Sequence, residues 1–152
     1  MKRTGLTLTL IASLVAGAAF ADEASDRAIK ARQSMMQLYA FNLGALGAMA
    51  KGNVPYDAET ASAHAANLVS LSTLSHSGLW PQGSDIGSSS NTAALPEIWS
   101  MYPDIATKSK GLVDAAAAMN AAAGVDLASL QGAMGAVGGS CGACHKVYRQ
   151  KK

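Results

Sequence analysis

Residues 141–145 read Cys-Gly-Ala-Cys-His, the one run in the chain whose residue types and spacing define a chemistry on their own. C-x-x-C-H is the attachment signature of c-type haem. The spacing has a chemical reason. Each cysteine sulfur adds across one vinyl group of the macrocycle, and a histidine directly after the second cysteine reaches the iron from the same side. Cys141 and Cys144 are therefore expected to anchor one haem c covalently, with His145 as the proximal iron ligand. Two other chemistries use paired cysteines. A thiol–disulfide enzyme usually places the pair at the start of a helix within a strand-rich fold, whereas this pair falls near the end of a helical chain. Zinc asks for a fourth ligand and a more polar, loop-bound site. No catalytic constellation accompanies the motif, and no enzyme activity is expected.

The motif must be held by a helix. Asp126 can cap one that carries Leu127, Leu130, Met134 and Val137 and continues to about Gln150. Gly132, Gly135, Gly138, Gly139 and Gly142 interrupt it, each costing about 1 kcal/mol of helix propensity against alanine. A flat macrocycle close to the backbone would account for such a tract, and so would close helix–helix contact. Three further helices precede it. From Ala24 to Lys51 two adjacent apolar stripes run side by side, one through Ile29, Arg32, Met36, Tyr39, Leu43 and Leu46, the other through Ala28, Met35, Leu38, Asn42 and Met49. Lys51-Gly52-Asn53 is a stop signal. Asp57 can cap a second helix running to about Ser77, and Gly78 to Asn91 reads as a loop. A third helix is expected to begin between Thr92 and Pro96 and to reach Ala123, with Pro103 bending it or splitting off its first turn. Nothing alternates as a strand does. Long helices joined by short connections predict an all-α, antiparallel up-down-up-down four-helix bundle with covalently bound haem.

Composition agrees. The 152 residues suffice for one domain, and 49% hydrophobic against 14% charged residues excludes a disordered chain. Aromatics are only 5%, so the core must be filled by small aliphatic side chains or by something that is not protein. No basic tract of five or more residues appears, which argues against nucleic acid. Met1-Lys2-Arg3, an uncharged run and Ala19-Phe20-Ala21 read as a cleavable signal peptide over residues 1–21. The mature domain would be residues 22–152, exported to the periplasm, with no other segment long and apolar enough to span a membrane. Lys2 and Arg3 would leave with the signal, bringing the twelve basic residues to ten against ten acidic.

The topology limits what can reach the iron opposite His145. In an up-down-up-down bundle the end of the last helix lies beside the start of the first, the end of the second and the start of the third. Met35, Met36, His76 and Met101 qualify. Met49 stands about 20 Å further along its helix than Met36, Met119 lies at the far end, and mid-helix His64 reads as a packed or surface residue. Met35 and Met36 are about 100° apart, each on an apolar stripe, and periodicity does not choose between them. Arg149 falls one turn after His145, and Arg32 one turn before Met36 suits either a haem propionate or the surface. Trp99 and Tyr102 begin the third helix at the haem end. Lys146, Lys151 and Lys152 flank the motif and could steer an acidic redox partner.

Several motifs together resemble the class II cytochromes c, the family of cytochrome c' and low-spin cytochrome c-556. They are Arg32-Gln33 followed by Met36, Leu46-Gly47-Ala48-Met49-Ala50-Lys51-Gly52, Pro55-Tyr56-Asp57, Pro81-x-Gly83-Ser84, Pro96-Glu97-Ile98-Trp99, and the C-terminal Cys141 to His145 with Tyr148-Arg149. The resemblance implies a four-helix bundle with His145 as proximal ligand. In the low-spin branch the methionine matching Met36 is the distal ligand, which implies a periplasmic electron carrier with His/Met iron serving redox partner proteins. In the cytochrome c' branch the matching side chain packs over a five-coordinate iron that binds nitric oxide or carbon monoxide. Family members occur as monomers or homodimers, and the outer stripe of the first helix permits both.

Overall fold

The computed structural model describes residues 9–151, with side chains described from Glu23. The signal assigned to residues 1–21 lies outside the described side chains, and its first eight residues outside the described backbone. Five helices follow one another: α1 (Thr9–Ala50), α2 (Ala58–Thr73), α3 (Glu97–Ser100), α4 (Tyr102–Ala123) and α5 (Leu127–Tyr148). α1 packs on α2, α2 on α4, α4 on α5 and α5 on α1, which closes a four-helix bundle of chain neighbours. Gln131, in the second turn of α5, donates to the carbonyl of Ala50 at the end of α1 at 2.8 Å, so these two helices run antiparallel.

The helix ends follow local chemistry. Asp57 accepts from the Thr60 amide at 2.7 Å and Asp126 from the Ser129 amide at 2.7 Å, each carboxylate satisfying a first-turn N–H. Gly52, at φ 72°, closes α1: its amide bonds the Met49 carbonyl at 3.0 Å, and the Asn53 amide bonds that of Ala48 at 2.9 Å. At Gly124 the reason is space. A Cβ there would stand 2.1 Å from Ser62 Oγ, because the end of α4 crosses the start of α2.

Four expected boundaries move. The first helix begins at Thr9 rather than Ala24, since the alanine- and leucine-rich backbone before it has no breaker strong enough to stop it. α2 stops at Thr73, short of Ser77, where Leu74 turns to ψ 140°. Thr92 to Pro96 is not helical. Ala94 instead forms a single antiparallel bridge with Arg149. Leu95 N–H bonds the Tyr148 carbonyl at 3.0 Å and Gln150 N–H bonds the Ala93 carbonyl at 2.8 Å. The same bridge ends α5 at Tyr148 instead of Gln150. Pro103 does what its missing N–H predicts: it sits in the first turn of α4, and α3 is split away.

The core is one seam of small and aliphatic side chains. Leu46 and Met49 of α1, Ala61, Ala65 and Leu68 of α2, Ala116, Met119 and Ala123 of α4, and Leu130 and Val137 of α5 form its centre. On α1 the described buried positions are Ala28 and then Ile29, Arg32, Met35, Tyr39, Asn42, Leu46 and Met49. This spacing of three and four threads between the two expected stripes and leaves Met36 and Leu38 outside. A second, smaller cluster of Ala94, Ile98 and Tyr148, with Trp80, Trp99, Ile105 and Cys144 against it, closes the end where α5 finishes.

Candidate functional site

α5 holds Cys141 and Cys144 one turn apart, with His145 one turn beyond Cys141. Both cysteines are half-buried and are not joined to each other as a disulfide. Burial pushes both thiols up; for Cys144 the charge of Lys108 opposes that shift. His145 is at the surface, and its pKa is lowered first by desolvation and then by the charge of Arg149. The ring is therefore held toward the neutral form that can bind a metal. Gly142, His145, Lys146, Arg149, Gln150 and Lys151 line a shallow cleft on this outer side. Among the described residues no three His, Cys, Asp or Glu side chains converge as ligands of one ion would, so the zinc reading has no donor set.

Does the surrounding structure fit a haem? A Cβ added at Gly132, Gly135, Gly138, Gly139 or Gly142 would meet nothing within 4 Å, so helix–helix contact does not explain the glycine tract. Tyr39 gives a more specific answer. It is buried on α1, its hydroxyl has no hydrogen-bond partner, and its pKa is pushed up to about 12, first by burial and then by the charge of Cys141. A buried, unpaired hydroxyl costs about 1–3 kcal/mol. One enclosed on α1, a helix that packs on α5, marks a site that a bound group completes. The donor set and the orphaned hydroxyl both fit covalent haem.

The other singled-out residues separate clearly. Met35 is 5% exposed and belongs to the core, whereas Met36 is 39% exposed. His76 is half-buried in the turn after α2, its Nε2 3.4 Å from the Leu71 carbonyl. Met101, 42% exposed, joins α3 to α4. His64 is packed, its Nδ1 2.9 Å from Asn42 Oδ1. Arg32 is not a surface residue. It donates to Ser84 Oγ at 2.7 Å, to Thr92 Oγ1 at 2.8 Å and to the carbonyls of Leu79 and Ser84, and its guanidinium lies 4.6 Å from the Trp80 ring centroid. Every one of these partners belongs to the segment between α2 and α3, so Arg32 straps that segment to α1. Trp99 Nε1 donates to the Trp80 carbonyl at 3.0 Å and tightens the same corner. Tyr102 is exposed. Sequence reasoning missed Ser84 and Asp104 as partners and passed over Tyr39 as a stripe residue. The only signal for Tyr39 was a tyrosine one turn beyond the methionine pair.

A family model described as Cytochrome C' matches residues 27–149. The chain belongs to the cytochrome c' family. A cytochrome c-554 from Cereibacter sphaeroides is 49% identical over 146 residues, covering 95% of each chain. Among solved structures, a cytochrome c' from Rhodobacter sphaeroides superposes with a TM-score of 0.82 at 38% identity, over 84% of this chain and 98% of that one. Two structures of variants of the Alcaligenes xylosoxidans cytochrome c', one ferrous with bound NO and one with bound carbon monoxide, each give a TM-score of 0.73 at 36% identity. Each covers 84% of this chain and 97% of the other. The cofactor of this cytochrome c' family is haem c, and Cys141 and Cys144 are the two cysteines able to bind it covalently.

Proposed function

We propose that this chain is an exported haem c protein that takes a small diatomic molecule, nitric oxide or carbon monoxide, on the iron face opposite His145. The observation that carries this reading is the likeness along the whole domain to relatives described with NO and with carbon monoxide bound. Bound haem supplies an iron with a Fe(II)/Fe(III) couple and one coordination position beyond the proximal ligand. The chain does the rest. Cys141 and Cys144 would hold the macrocycle by two thioethers, and His145, kept toward its neutral form, would offer a ring nitrogen to the iron. Arg32 fixes the segment between α2 and α3 to the same end of α1. Cleavage after Ala21 would release the domain into the periplasm.

A second reading rests on Met36. Its thioether is not committed to the core, and it lies on the helix that neighbours α5. With its sulfur on the iron the protein is a low-spin His145/Met36 electron carrier. The chain from Leu127 to Lys152 has no carboxylate side chain, so Lys146, Arg149 and Lys151 around His145 would favour an acidic redox partner. Carbon monoxide added to the ferrous protein separates the two. The first reading predicts an immediate, saturable shift of the Soret band. An unchanged spectrum in the parent, with a shift appearing only in Met36→Ala, establishes the second.

A further inference from the structure

We infer that the Tyr39 hydroxyl is the hydrogen-bond donor to whatever ligand occupies the iron face opposite His145. Among the described residues, Tyr39 Oη is the one buried side-chain polar atom without a partner. Tyr39 is 8% exposed and packs in the core seam beside Met35. Native proteins rarely leave such a group unpaired, and one that stays unpaired points to a partner that is not protein. α5 packs closely on α4 and more loosely on α1, so a macrocycle held by α5 through Cys141 and Cys144 can lie between α5 and α1. Tyr39 lies one turn after Met35 and Met36, the α1 residues nearest that face by register.

Two other partners fit poorly. Propionates are charged and need solvent or cationic partners, whereas Tyr39 Oη is enclosed in the apolar seam. His145 belongs to the surface of α5 and lines the outer cleft. What remains is the atom bound at the iron. The phenol keeps its proton at neutral pH, so it can donate to an atom bound at the iron.

This inference rests on covalent haem but not on which ligand the iron carries. Tyr39→Phe removes only the oxygen and keeps the ring that fills the core. In the ferrous carbon monoxide complex, it should raise the C–O stretching frequency, because a donor at the ligand oxygen favours back-donation. Carbon monoxide should leave about fivefold faster, the weight of one neutral hydrogen bond. A purely structural role would move neither. An unchanged stretch together with an unchanged off-rate overturns the inference. If the parent binds no carbon monoxide because Met36 holds the position, that result counts against gas binding and not against Tyr39. The readout is then the reduction potential. Loss of a donor to the thioether sulfur should shift the Fe(II)/Fe(III) equilibrium about fivefold toward Fe(III), where tenfold corresponds to 59 mV for one electron. A potential equal to the parent's overturns the inference in that case.

Discussion

Tyr148 Oη donates to Asp104 Oδ2 at 2.6 Å, joining the last residue of α5 to the first turn of α4 across 44 positions of sequence. Tyr148 is buried one turn after Cys144 and packs in the same cluster as that cysteine. The bond therefore fixes the helix that carries the haem anchors to the neighbour that covers it. Tyr148→Phe should lower the melting temperature of the holoprotein by several degrees. Asp104→Asn keeps an acceptor oxygen and should lose less than Asp104→Ala. Equal losses in the two Asp104 variants, measured by thermal melts followed by circular dichroism, would argue against the bond as the cause.

Arg32 is a planar fork with four acceptors around it, and lysine cannot reproduce that geometry. Arg32→Lys should cost about 2–4 kcal/mol, the loss of two or more of its hydrogen bonds. The segment of residues 78–92 should become the first site of proteolytic nicking. Urea denaturation and limited proteolysis of the same variant check both halves.

Adjacent methionines should behave oppositely. Met35→Ala opens a cavity in the seam and should cost about 2–5 kcal/mol with little change in the haem spectrum. Met36→Ala should change stability by about 0.5 kcal/mol, and its effect should fall on carbon monoxide binding, with a change of spin state only where its sulfur holds the iron. Paired melts and absorption spectra of the two variants make the comparison. A spectral change confined to Met35→Ala would reverse the assignment.

Acid should unfold the protein partly through its caps. The hydrogen bond to Thr60 holds Asp57 below its ordinary value of 3.8, and the bond to the Ser129 amide does the same for Asp126. A carboxylate depressed in the folded state contributes stability that is complete above its unfolded pKa and is lost as pH falls through the folded value. Stability should therefore decline below about pH 4. Asn caps as well as Asp but does not titrate, so the double variant Asp57→Asn/Asp126→Asn should show a shallower decline. A slope identical to the parent's would place the acid sensitivity elsewhere.

Local chemistry made much of this legible. Asp57, Asp126, Gly52 and Pro103 each do in the structure what their side chains or backbone dictate alone, and the bundle follows from them. The two cysteines able to bind haem c covalently were legible from five consecutive residues. What sequence could not reveal depends on distant partners. Ala93 to Leu95 stays out of the helix because the Leu95 amide and the Ala93 carbonyl are taken by Tyr148 and Gln150, more than fifty residues away in sequence. Arg32 looks like a surface or propionate residue until Ser84, Thr92 and Trp80 gather around it. Met35 and Met36 differ by one residue on α1, and only packing against the other helices shows which of them the seam takes.

Mass mapping of the purified protein tests the central claim most directly. Trypsin cleaves after Lys110 and Lys146 and at no site between, so residues 111–146 form one peptide holding Cys141, Cys144 and His145. That peptide should carry the mass of one haem, absorb in the Soret region and show no thiol open to alkylation. A haem-free peptide with two alkylatable cysteines, or with a disulfide between them, would contradict the account.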